Sequence, residues 1–144
     1  MKGYFISVLL AFSAGLLGAL QGTINAQAGK VFGQFAMIIG VSLTQVFIAS
    51  MILMREGWSA FAPVFSPWMI VAGALGVIMM FSISSSISSI GTLPVFVLVI
   101  LGQIIASALI DHFGLFGTTR PLSLQKLGSI FVIMMGVFWL VKSS

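Results

Sequence analysis

The chain has 144 residues, of which 60% are hydrophobic and 6% are charged, and its mean hydropathy is +1.25. A soluble domain carries roughly a quarter charged residues, so this composition excludes a water-exposed surface and indicates a chain dissolved in the lipid bilayer. The six Lys and Arg residues and two acids are scattered singly, which excludes the clustered basic face of a nucleic-acid-binding protein, and the absence of cysteine excludes disulfides and cysteine-ligated metals.

Five stretches of the chain are long and apolar enough to cross a bilayer as helices. A hydrocarbon core about 30 Å thick needs roughly 20 apolar residues in helical form, and the charges and the Gly and Pro signals divide the chain into five such lengths. They cover residues 4–25, 35–54, 68–89, 93–110 and 124–141. Because backbone groups that face lipid must be hydrogen-bonded within their own segment, we predict an all-α integral membrane protein whose residues 1–144 form a single transmembrane domain.

The first predicted helix carries small and polar residues along one stripe. Its uncharged stretch, 3–29, exceeds the roughly 7–15 apolar residues of a secretory signal, so we expect it to be a membrane helix. Spacings of three and four place on one helix face Ser7, Ala11, Ala14, Gly18, Gln21 and Asn25. The small residues, with the pair Gly18 and Gly22, allow another helix to approach closely. Amides are costly in lipid, so we predict that Gln21 and Asn25 contact a ligand or, alternatively, clamp two helices together by hydrogen bonds.

The third predicted helix ends in a dense patch of six serines in eight consecutive positions. A serine in a membrane helix can return its hydroxyl to a carbonyl one turn back, which often bends the helix. Gly91 and Pro94 then interrupt regular helix, and irregular backbone at membrane depth is tolerated where it lines a cavity. We predict that Ser84, Ser85 and Ser88 line an aqueous space that a substrate can reach; helix packing with a bend is an equally supported alternative.

The fourth predicted helix places an amide, a hydroxyl and a carboxylate on one face. Gln103, Ser107 and Asp111 are spaced four residues apart, and Gly102 beside them is a small packing position. We predict that Gln103 and Ser107 bind substrate. Ionisable groups close to the membrane are candidates for ion coupling, which we predict for Asp111 and His112; the alternative is that they anchor a helix end at the interface. The fifth predicted helix is almost wholly apolar and is expected to be peripheral.

The basic residues set the membrane orientation by a small margin. With five spans, the N-terminal face collects four Lys and Arg residues and the opposite face collects two. They are Lys2, Arg55, Arg120 and Lys126 on the first face and Lys30 and Lys142 on the second. This difference of two weakly favours a cytoplasmic N-terminus and permits insertion in both orientations.

The sequence offers no constellation for catalysis. It contains no Ser/His/Asp set, no paired carboxylates and no Gly-rich phosphate loop with a lysine. We therefore predict that the protein is not an enzyme and uses no cofactor or metal.

Several motifs along almost the whole chain resemble one known family. They are GALQGTINAQAG in the first helix, GALGV in the third, and GQIIASALIDHFGLFG with the downstream RPLSLQKLGSIFVIMMGVFW. These stretches resemble the small five-helix, YdcZ-type family of the drug/metabolite transporter superfamily. The resemblance implies a transporter of the bacterial inner membrane, with Gln21, Asn25, Gly102, Gln103 and Asp111 at the positions of the family's motifs.

The resemblance also implies a partner chain. Larger members of the superfamily have ten helices in two five-helix halves of opposite orientation, so this chain resembles one half and would need an inverted second copy or a paralogous sister chain. Two departures limit the comparison. The second helix reads GVSLTQVFIAS where relatives tend to have a Ser-Phe-x-x-Gly pattern, and the first helix lacks the glutamate of the four-helix multidrug members, so proton-driven export of cationic drugs by that route is not supported.

The function that we predict is alternating-access transport of a small polar metabolite through a cavity shared by two copies. A small ion or water pore is a first alternative, ranked behind because the sequence shows no ring of charges or carbonyls. An accessory subunit that packs against another membrane protein, without transport of its own, is a second alternative.

Overall fold

The computed structural model describes residues 2–57, 64, 66–115 and 121–143, and the regular elements in these residues are helical. The helices are α1 (Lys2–Phe32), α2 (Gln34–Leu53), α3 (Pro67–Ile90), α4 (Thr92–Phe113) and α5 (Leu124–Lys142), with a turn of 3-10 helix, Met54–Glu56, after α2. Each of the five α-helices is long and apolar enough to cross a membrane. The predicted all-α fold class with five spans is confirmed.

The helix bounds follow the predicted spans closely except in α1. That helix continues to Phe32, whereas the predicted span stops at residue 25. The prediction ended where the sequence becomes polar, but a helix can continue through amides and a terminal lysine, since a lysine stem packs along apolar surface while its ammonium stays in water. The chain reaches a conformational break only at Gly33. The residues between the first two predicted spans are therefore helical up to Phe32.

At two positions a single glycine separates the end of one helix from the start of the next. Gly33, with φ of 92°, lies between α1 and α2, and Gly91, with φ of 86°, lies between α3 and α4. Residues with a side chain rarely adopt this backbone conformation, so glycine is required at both breaks. Pro94 follows in the first turn of α4, where its missing N–H removes no helical hydrogen bond.

Local caps define the facing ends of α4 and α5. The N–H groups of Gly114 and Leu115 both donate to the carbonyl of Ile110, and Gly114 has the left-handed φ of 62°, which is the usual way a helix closes on a glycine. At the start of α5, the Ser123 hydroxyl oxygen accepts from the backbone N–H of Lys126 at 3.3 Å, as an N-cap residue does.

Residues Met1–Ser89 form one compact unit, in which α1 packs against α2. Its buried residues are Gly22, Asn25, Ala26 and Gly29 of α1, Met37 and Ile38 of α2, and Ser84 and Ile87 of α3. The rings of Phe35 and Phe81 stack with their centroids 5.7 Å apart, which joins α3 to the start of α2. Small residues on α1 thus let the helices of this unit approach closely.

Residues Ile90–Ser144 form the second unit, in which α4 packs against α5. Its buried apolar side chains are Val95 and Val137.

Most large apolar side chains in both units lie on the outside. Examples on four different helices are Leu10, Phe47, Ile78 and Val132, each of which is exposed. A soluble protein rarely exposes an apolar surface of this extent, whereas lipid tails cover it without penalty. The helices therefore present their surfaces to lipid or to another membrane-embedded chain, and the grouping of residues 1–144 into a single domain stays a prediction.

Candidate functional site

The structure places the two predicted amides of α1 in different surroundings. Asn25 is 5% exposed and lies on the buried face with Gly22, Ala26 and Gly29. Gln21, one turn earlier, is exposed, as are residues 3–17. The reason is that the rest of the first unit covers only the C-terminal turns of α1. Asn25 therefore faces protein in this chain, and Gln21 does not.

A buried hydrogen bond links the serine patch to the start of α2. The Ser84 hydroxyl donates to Gln34 Oε1 at 2.6 Å, and Ser84 is 0% exposed. Gly29 makes room for this contact: a Cβ on Gly29 would lie 2.7 Å from the same Gln34 oxygen. The sequence analysis named Ser84 and missed Gln34 and Gly29, because both lie between the first two predicted spans. The signal that could have found them is an amide placed directly after the break at Gly33.

Two other serines of the patch satisfy their hydroxyls within α3. Ser88 donates to the Ser84 carbonyl and Ser89 to the Ser85 carbonyl, each at 3.1 Å. Ser85 and Ser88 are half-buried, and α3 is a continuous helix across the patch. The hydroxyls of Ser88 and Ser89 therefore need no partner outside their own helix, while each oxygen can still accept a hydrogen bond. That Ser84, Ser85 and Ser88 line an aqueous space stays a prediction.

The polar face of α4 is open along its length. Gln103, near the middle of the helix, is exposed, and so is Ser107, whose hydroxyl donates to the Ile104 carbonyl at 3.1 Å. Gly102 has open space beside it, since no heavy atom lies within 4 Å of a Cβ built there, and the same is true of Gly18 on α1. The predicted substrate-binding residues of α4 and these two packing glycines therefore lie on surfaces that the chain itself leaves uncovered.

A cleft of about 510 Å³ lies between the C-terminal half of α4 and the start of α5. Its lining residues are Ile104, Ser107, Ala108, Asp111, Leu122, Ser123, Gln125, Lys126, Ser129 and Ile130. Two of the predicted site residues, Ser107 and Asp111, are brought together here. Sequence reasoning did not predict the opposite wall, where Ser123 and Lys126 lie, because it treated the fifth helix as peripheral.

His112 connects the end of α4 to the residue before the α5 cap. The backbone N–H of Leu122 donates to His112 Nδ1 at 3.3 Å, so Nδ1 carries no proton when this bond is formed. His112 itself is exposed. Among the residues that the structure describes, no group of three or more His, Cys, Asp and Glu side chains could hold a metal ion.

The fold and these side chains define the class of the protein. It is a multi-pass α-helical membrane protein with amides, hydroxyls and a carboxylate along its apolar spans. The model of the family described as "Putative inner membrane exporter, YdcZ" matches residues 6–139, and the chain belongs to this family of the drug/metabolite transporters. Neither the curated proteins nor the solved structures gave a match. The resemblance is thus confirmed, and the protein is a multi-pass protein of the inner membrane and of the membrane-transporter class.

Proposed function

We propose that this protein is a secondary transporter that moves a small polar metabolite by alternating access, through a cavity formed with an inverted second copy or a paralogous five-helix chain. The observation that carries the proposal is the position of Gln103. This side chain lies near the middle of an apolar span and is exposed on the isolated chain. A primary amide facing hydrocarbon without hydrogen-bond partners is costly, so Gln103 needs water or a protein partner at bilayer depth.

The surfaces around the exposed amides favour a second chain as that partner. Gly102 next to Gln103, and Gly18 one turn before Gln21, each have open space in place of a side chain. Small residues of this kind let the backbones of two membrane helices approach closely. Because five spans place the termini on opposite faces, an inverted copy restores the pseudo-two-fold arrangement that many transporters use to form a site near the midplane.

The side chains offered to such a cavity suit an uncharged or hydrogen-bonding cargo. Gln21, Gln103, Ser85 and Ser88 supply amide and hydroxyl groups, which both donate and accept hydrogen bonds. The first helix contains no carboxylate. These groups favour a small polar metabolite over a bare cation. This agrees with the first helix, which lacks the glutamate that the multidrug relatives have.

Asp111 and His112 are proposed as the coupling groups. A proton that binds His112 at Nδ1 turns this nitrogen into a donor, so it can no longer accept from Leu122 N–H. Proton uptake would then release the segment before α5 from the end of α4. This sequence of events gives a physical route from protonation to a conformational change.

Counterflow in proteoliposomes tests the proposed function. Candidate metabolites are first screened by thermal shift on the purified protein, since a ligand that prefers the folded state raises the melting temperature, and a radiolabelled hit is then used for exchange. We expect saturable counterflow that is lost in Gln103→Leu and kept in Gln27→Leu, a control in which the same change lies close to the end of α1. Non-saturating conductance would indicate a pore. Inactivity of the purified chain, with full activity only beside a membrane protein that is not a five-helix paralogue, would indicate an accessory subunit. Either result contradicts the proposal.

A further inference from the structure

The cleft between α4 and α5 has walls of opposite charge. Asp111 lies on the α4 wall and Lys126 on the α5 wall, and both line the same space of about 510 Å³. Among the described residues, neither side chain forms an ion pair. An acid and a base of the described residues thus face one cleft without pairing with each other.

Both charges oppose the dipole of their own helix. Asp111 lies in the last turn of α4, which ends at Phe113, and Lys126 lies in the first turn of α5, which begins at Leu124. The dipole makes the C-terminal end of a helix negative and the N-terminal end positive. Each charge therefore adds to the potential of its wall and does not stabilise its own helix, so the stability of α4 and α5 gives no reason for the placement of these two residues.

The hydroxyl groups of the two walls also differ: the α4 wall offers a hydrogen-bond acceptor, and the α5 wall offers a donor. Ser107, one turn before Asp111, donates its proton to the Ile104 carbonyl at 3.1 Å, so its oxygen offers only lone pairs to the cleft. Ser123, on the opposite wall, accepts from Lys126 N–H at 3.3 Å, so its hydroxyl proton is free to donate. The α4 wall accepts hydrogen bonds at Ser107 and Asp111, and the α5 wall donates them at Ser123 and Lys126.

We propose that the cleft binds a small zwitterion, with its ammonium group against Asp111 and Ser107 and its anionic group against Lys126 and Ser123. Charge-assisted hydrogen bonds of this kind are stronger than neutral ones. The volume of about 510 Å³ falls among small-molecule sites, and the apolar lining residues Ile104 and Ile130 can contact the carbon chain between the two charged groups. The inference deepens the proposed function. It rests on that proposal in one respect only, namely that the bound zwitterion is the transported cargo.

Titration calorimetry on the purified full-length protein in detergent tests the proposal. The probes are two zwitterions, phosphoethanolamine and β-alanine, and two analogues that each lack one charge, ethanolamine and propionate. We expect at least one zwitterion to bind about tenfold or more tightly than both single-charge analogues, because each charged contact contributes separately. Binding of every zwitterion no tighter than its analogues would overturn the proposal.

Variants assign the two charges to the two walls. The preference for the zwitterion should be lost in Asp111→Asn and in Lys126→Gln. It should be retained in Lys126→Arg, which keeps the positive charge and shows that a substitution at this position still allows the protein to fold. Lys142→Gln removes a positive charge from the other end of α5 and is the matched control, with unchanged binding. A preference that survives in both Asp111→Asn and Lys126→Gln would contradict the assignment.

Nanodiscs separate the two sources of this chemistry. If the ligand is the headgroup of a phospholipid, binding of the free zwitterion should persist in phosphatidylglycerol nanodiscs and disappear in those that contain phosphatidylethanolamine. If the ligand is a free solute, binding should persist in both. Failure of counterflow with intact zwitterion binding would count against the proposed transport function alone, and counterflow without zwitterion preference would count against the cleft proposal alone.

Discussion

The hydrogen bond between Ser84 and Gln34 holds two helices of the first unit together at a point without access to solvent. Ser84 is fully buried, and the bond is short at 2.6 Å. A buried polar group that loses its partner costs about 1–3 kcal/mol. This bond and the stacked rings of Phe35 and Phe81 therefore both help to fix the position of α3 relative to the start of α2.

Replacing Ser84 by Ala should lower the free energy of unfolding by about 1–2 kcal/mol, because the Gln34 carbonyl oxygen loses its donor. Thermal unfolding of the purified protein in detergent measures the change. Ser89→Ala is the matched control, since that hydroxyl is exposed and donates to a carbonyl of its own helix, and it should change stability by less than about 0.5 kcal/mol. Equal losses in the two variants would contradict this account of Ser84.

Replacing Gly29 by Ala should act on the same bond from the other side. The new Cβ would lie 2.7 Å from Gln34 Oε1, so the amide must move away from Ser84, and the melting temperature should fall. Gly15→Ala in the same helix meets no heavy atom within 4 Å and should be neutral or stabilising, since alanine favours helix by about 1 kcal/mol over glycine. In a Ser84→Ala background Gly29→Ala should cost little more; full additivity would show that the two residues act separately.

Single residues of the candidate site could be predicted from sequence where polarity contrasts with apolar surroundings. Asn25, Ser84, Ser107 and Asp111 stand out for this reason; the structure buries the first two and places the last two in one cleft. Gln34 could not be found in this way, because it lies in a stretch where polar residues were expected. Its partner is fifty positions away, and no local pattern records such a contact.

At the scale of helices, hydropathy predicts the spans because the bilayer fixes how many apolar residues a helix needs. The ends follow conformational signals instead, which is why α1 runs on to Gly33 and α4 runs on to Gly114, past the polar residues that ended the predicted spans. The cleft between α4 and α5 could not be predicted, because it depends on how the two helices pack, which their separate sequences do not record.

Replacing His112 by Phe tests the connection between α4 and α5 at this scale. The ring remains, but Nδ1 no longer accepts from Leu122 N–H, and a hydrogen bond of this type contributes about 1 kcal/mol. Amide exchange at Leu122, followed by mass spectrometry, should quicken several-fold, while exchange at Leu127, which donates to the Ser123 carbonyl, should not change. Unaltered exchange at Leu122 would show that the bond does not hold this segment.

At the scale of the whole molecule, an inverted second copy as the partner requires that the chain inserts in both orientations. The small difference between the basic residues of the two faces permits this. The chain has no cysteine, so Gly3→Cys and Ser143→Cys variants each carry a single thiol, one near each terminus. In intact cells an impermeant thiol reagent should label part of each population. Labelling of one variant only would establish a single orientation and leave a paralogous chain as the remaining inverted partner.

The measurement that tests the central claim most directly is the access of water to position 103. In Gln103→Cys the only thiol lies near the middle of α4, and in Ile105→Cys it lies at nearly the same depth but about 200° around the helix, on an apolar exposed face. Thiol reagents react with the hydrated thiolate, so a polar membrane-impermeant reagent should modify residue 103 readily in the assembled protein and residue 105 hardly at all. Residue 103 as unreactive as residue 105, in every condition that supports transport, would show that no aqueous cavity reaches the polar face of α4.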